Sequence, residues 1–147
     1  MTPSQEQRWL LGLRLLRDGA FWEAHEAWEE LWLSLPKDSA ARRATKVLIQ
    51  LAAICHKPVQ AARGRASEKM QRGMERLLGS SSAHLEATAR LGPPAPPWEL
   101  EKIDAALKGL EEILNDWKAG LDLKLVSQRV TELARAFADD PAAQNNG

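Results

Sequence analysis

The sequence predicts an all-α fold, a compact helical bundle of about four helices with a C-terminal helical pair. Apolar residues recur at intervals of three and four along almost every segment, the period of an amphipathic helix. Stop signals fall between those segments, notably Gly19, Pro36, Gly64, Gly120 and Pro141. From Val47 to Cys55 only Gln50 is polar, and a helix apolar on all sides belongs in the middle of a bundle.

The elements follow in order. Thr2 and Gln5 have the spacing of a capping box, Pro3 suits a first helical position, and Gly19 is placed to end the first helix. The second helix spans residues 20–35 and carries Phe21, Ala24, Trp28, Leu31 and Leu35 at helical spacing before Pro36. The third starts near Asp38 or Ser39 and runs to about Lys57, ahead of Pro58. A fourth, residues 65–78, sets Ala66, Met70, Met74 and Leu77 on one side. The sequences GSSS and GPPAPP then bracket residues 79–97, which read as a Ser/Pro-rich linker packed on the same domain, with at most a short helical segment. Ile103, Leu107, Leu110, Leu114 and Trp117 mark one further helix, and Val126, Val130, Leu133 and Phe137 another. Residues 1–78 are thus expected to form the core bundle, 98–139 the C-terminal pair, and 140–147 a disordered polar tail.

Composition narrows the function classes. In a chain of 147 residues, Lys plus Arg balances Asp plus Glu at 20 each, so no overall field draws the protein to nucleic acid or to an anionic membrane. The one local exception is a basic stripe, Arg65, Lys69, Arg72 and Arg76, which has no interleaved aromatics and reads as a solvated or salt-bridged face. Cys55 lies in the apolar run with no partner for an internal disulfide, as a core thiol in a reducing compartment would. With apolar runs far too short to cross a bilayer and no cleavage site near the start, a cytoplasmic location is expected.

The chemistry concentrates in FWEAHEAWEELW, residues 21–32. A helical wheel places His25 on one stripe with Phe21, Trp28 and Trp32, facing inward. The adjacent stripe holds Trp22, Glu26, Glu29 and Leu33, so that Glu26 and Glu29 border the apolar face and stand to become partly buried, while Glu23 and Glu30 turn to solvent. Antiparallel packing of the second and third helices would bring His56 towards His25. His25, Glu29 and His56 are then candidate ligands of a divalent metal such as zinc, manganese or iron, with Glu26 as the catalytic group acting on a metal-bound water. The competing reading is a satisfied polar network that fixes helix register. His84 falls in the expected linker, and Trp9, Trp22 and Trp98 are the tryptophans placed to line a pocket or an interface.

FWEAHEAWEELW followed by LIQLAAICHK resembles the small all-helical proteins of domain of unknown function family 309. Their signature is an aromatic-Glu-Ala-His-Glu helix followed by a Leu-Ile-Gln-x-Ala…His helix. The likeness extends more loosely to about residue 118, and Pro58 departs from it by following His56 where such helices usually continue. The resemblance implies a compact, cytoplasmic helical bundle and marks His25, Glu26, Glu29, Gln50 and His56 as signature positions, with Gln50 placed to hydrogen-bond into the His-Glu cluster. It implies no activity. Two functions are therefore expected to compete: a metal-dependent hydrolase, and a non-catalytic helical module that binds a partner or forms a homodimer.

Overall fold

The computed structural model describes residues 1–139, and the expected disordered tail lies outside them. Six α-helices make up the described residues: α1 (Pro3–Arg17), α2 (Phe21–Ser34), α3 (Ala40–Ala62), α4 (Ser67–Leu91), α5 (Leu100–Lys118) and α6 (Leu123–Ala138). The all-α class is as predicted; the bundle has six helices where about four were expected, because α5 and α6 share its core. α3 is the central element, packed against α2, α4, α5 and α6, while α1 lies on α2 and α6. No helix among the described residues is long and apolar enough to cross a membrane.

The capping box at Thr2 and Gln5 forms as its spacing predicts, with both reciprocal hydrogen bonds present. Buried side chains recur along α3 from Ala44 to Ala61, Cys55 included. Its expected stop at Lys57 is corrected: the helix passes through Pro58, which is itself buried. Proline removes one helical hydrogen bond at that point, and burial of the turn that follows, down to Ala61, offsets the loss.

The larger correction concerns the Ser/Pro-rich linker. α4 continues without a break through GSSS to Leu91, so only residues 92–99 remain as a connection to α5. Leu78, Ser81, Leu85 and Thr88 are all buried at intervals of three and four. Packing of this stripe overrides the local turn preference of glycine and serine.

Tryptophans tie the layers together. Trp28, fully buried, donates from Nε1 to the Trp9 carbonyl at 3.3 Å. Trp98 donates to Thr45 Oγ1 at 3.0 Å, and its ring meets Trp9 edge-on at 5.5 Å. Trp9 and Trp98 are thus core residues, and Trp22 of the three singled out is exposed and stands at a large surface cleft.

Candidate functional site

α2 starts directly after Gly19, whose φ of +80° closes a tight reversal that a side chain would resist. The helix buries Phe21, Ala24, Ala27, Trp28 and Leu31. That orientation turns the next stripe outward: Trp22, Glu26, Glu29 and Leu33 are all exposed. The expected partial burial of Glu26 and Glu29 is therefore corrected. His25 sits at the border, with 18% of its side chain exposed.

α3 lies antiparallel beside α2 and brings His56 to the same end of the pair, as expected. What joins the histidines is Trp22. Its indole stacks on the His25 imidazole, with centroids 4.6 Å apart and planes 9° from parallel, and meets the His56 ring at 5.7 Å and 38°. His25 Nδ1 is 3.6 Å from Glu29 Oε2, beyond hydrogen-bond reach, and this buried nitrogen has no hydrogen-bond partner.

Burial holds the His25 pKa below its ordinary value of 6.5, against the pull of Glu29 and Glu26 and with a further push from Lys46. His56 is lowered likewise, by burial first and then by Arg63, with Glu23 opposing. Both shifts favour the neutral imidazole, which can accept a hydrogen bond, over the imidazolium.

The candidate metal ligands are not gathered into one centre. Among the described residues no group of three or more His, Cys, Asp or Glu side chains is arranged to hold a metal ion. His25 and His56 both lie against the Trp22 indole, and Glu26 and Glu29 are exposed. Glu26, the candidate catalytic group, lies on the exposed face of α2. Gln50 is also elsewhere: it bonds Ser80 and Ser81 of α4, not the His-Glu cluster. His84, expected in a linker, is an exposed residue of α4. Cys55 is the core thiol expected, its pKa pushed up to about 12 by burial.

A cleft of about 520 Å³ opens beside His56 and Trp22, walled also by Asp18, Glu23, Gln60 and Arg63. The first turn of α2 forms its end. Ala20 offers no side-chain cap there, so the leading amides of the helix have no acceptor inside it. Gln60 and Arg63 escaped the sequence reading because the third helix was stopped at Pro58. Continued through it, His56, Gln60 and Arg63 follow at intervals of four and three and share one face. That spacing was the available signal.

Residues 9–70 match the family model described as Domain of unknown function (DUF309). The matched segment starts at Trp9, contains all of α2 and α3, and ends at Met70 in the first turns of α4. His25, Glu26, Glu29, Gln50, His56 and every residue lining the cleft lie within the DUF309 segment. No curated protein and no solved structure matches the chain.

Proposed function

We propose that the protein binds a small carboxylated molecule bearing a planar group in the cleft between the start of α2 and the end of α3. The observation that carries this reading is the placement of Trp22. A half-exposed indole held against two neutral imidazoles beside a 520 Å³ cleft is a prepared stacking surface, in a volume suited to a small ligand. The carboxylate has two partners within the same cleft, the Arg63 guanidinium and the uncapped amides at the start of α2. Gln60 and neutral His56 supply hydrogen bonds. Asp18 and Glu23 on the rim weigh against highly charged anions and favour a ligand that also carries an amine.

Ligand-observed NMR with a panel of carboxylated aromatic and heteroaromatic molecules tests the assignment on the wild type, Trp22→Ala and Arg63→Gln. Saturation transfer to planar carboxylates that disappears in Trp22→Ala and weakens in Arg63→Gln is the expected result. Equal transfer in all three proteins, or none in the wild type, rejects it.

A further inference from the structure

We propose that a second site, at the opposite end of the α2–α3 pair, takes a compact multivalent anion of the phosphate-bearing type. The site is a cleft of about 320 Å³ between the end of α2, the start of α3 and the later turns of α4, lined by Trp32, Asp38, Arg42, Arg43, Lys46 and His84. Three of these six side chains are permanent cations and one is a carboxylate. None of the ion pairs formed among the described residues includes Arg42, Arg43 or Lys46. Three unpaired like charges on adjacent turns repel one another, and a bound anion relieves that repulsion.

The cations are also held in place. Arg42 lies over the Trp32 ring with its guanidinium carbon 4.0 Å from the centroid, and Lys46 Nζ is 5.3 Å from it. Arg42 Nη1 donates to the Leu35 carbonyl at 3.1 Å and Arg43 Nη1 to the Asp38 carbonyl at 2.7 Å. These contacts fix each guanidinium by one edge and leave its other donors unspent. Arg43 Nε itself is buried and has no acceptor in the protein. Buried donors in folded proteins are almost always satisfied; the Arg43 guanidinium is held with one donor closed off from solvent, and it is the cleft-lining side chains of Arg42, Arg43 and Lys46 that present the charge to an entering anion.

The arrangement selects the kind of anion. Two guanidinium forks and one ammonium, approaching from successive turns of α3, match the several oxygens of a phosphate group better than a single carboxylate or a halide. A nucleic acid is disfavoured because the cleft is local and the face of Trp32 that would stack a base already carries Arg42. The exposed basic stripe of Lys69, Arg72 and Arg76 on the outside of α4, with Arg65 just before it, is the rival location for any anion and serves as the control.

Isothermal titration with pyrophosphate at low ionic strength, on the wild type and on Arg43→Gln, Lys46→Gln and Arg72→Gln, decides the matter. Saturable binding weakened roughly tenfold or more by Arg43→Gln and by Lys46→Gln, as loss of one charge-assisted hydrogen bond requires, and unchanged by Arg72→Gln, is the expected result. Citrate of comparable charge should bind less tightly than pyrophosphate. No saturable binding in the wild type, equal weakening by Arg72→Gln, or citrate binding as tightly as pyrophosphate overturns the proposal. Thermal unfolding of each variant confirms its fold. Lys46 is only partly buried, so its variant remains decisive where Arg43→Gln is unstable.

Discussion

Ser81 Oγ donates to Gln50 Oε1 at 3.1 Å, and Gln50 Nε2 donates to Ser80 Oγ at 3.0 Å. The one polar side chain in the most apolar part of α3 is thereby satisfied by adjacent serines from the middle of α4. The pair fixes the register of the two helices that share the largest interface in the bundle.

Removing one partner should cost more than removing both. Ser81→Ala leaves the Gln50 carbonyl oxygen without its donor in a buried position and is expected to destabilise the fold by about 1–3 kcal/mol. Gln50→Leu combined with Ser81→Ala deletes the polar pair together and should recover part of that loss. Urea midpoints for the two single variants and the double give the coupling energy. Strict additivity would show that the contact contributes nothing to register.

The same pair explains what the sequence concealed. GSSS carries turn chemistry locally, and only the tertiary partner of Ser81 makes its helical placement favourable. The apolar stripes of α2 and α3 were legible, since Phe21, Trp28, Leu31 and the run around Leu51 have no alternative to burial. The direction of the Glu26 and Glu29 stripe was not. A wheel gives angles between stripes, and Trp22 and Leu33 made the outward stripe look half apolar, yet both are exposed. Of the candidate site, the closeness of His25 and His56 was readable from antiparallel packing. The indole against both rings was not, because whether Trp22 faces core or cleft depends on how α1 reverses at Gly19.

Gly12 offers a sharper test of packing. A Cβ built there would lie 2.0 Å from Trp28 Nε1, and the indole is buried and tethered to the Trp9 carbonyl. Gly12→Ala should therefore destabilise by about 1–3 kcal/mol through overpacking, despite the better helix propensity of alanine. Gly79→Ala is the matched opposite: nothing lies within 4 Å of its Cβ position, and the exposed helical site should gain about 0.5–1 kcal/mol. Thermal melts of both variants check the contrast, and a neutral Gly12→Ala would mean that α1 and α2 do not meet this closely.

Cys55 should report unfolding. Its side chain is fully buried and its thiol pKa is pushed up to about 12, so the native protein holds almost no reactive thiolate near neutral pH. An aromatic disulfide reagent at mildly alkaline pH should modify the native protein only at the rate at which α3 becomes exposed, and the denatured chain at once. Fast stoichiometric reaction of the native protein would contradict the burial.

Acid sensitivity follows from the two histidines. Both have folded pKa values below the ordinary 6.5, so below that pH the unfolded chain binds protons that the native state resists. Stability should be fully present above 6.5 and fall as the pH drops through 6.5 towards the folded values. The groups acting on His25 are Glu29, Glu26 and Lys46; those on His56 are Arg63, Glu23, Lys57 and His25 itself. Burial leads in both, and it is Trp22 that covers both rings. Urea midpoints measured between about pH 8 and pH 5.5 should decline towards acid in the wild type, and decline less in His25→Gln and His56→Gln. Trp22→Ala should raise both imidazole pKa values in an NMR titration by returning the rings to water. A wild-type midpoint that stays level or rises on acidification would reject the assignment, as would imidazole pKa values unmoved by Trp22→Ala, because either result removes the covering role of the indole.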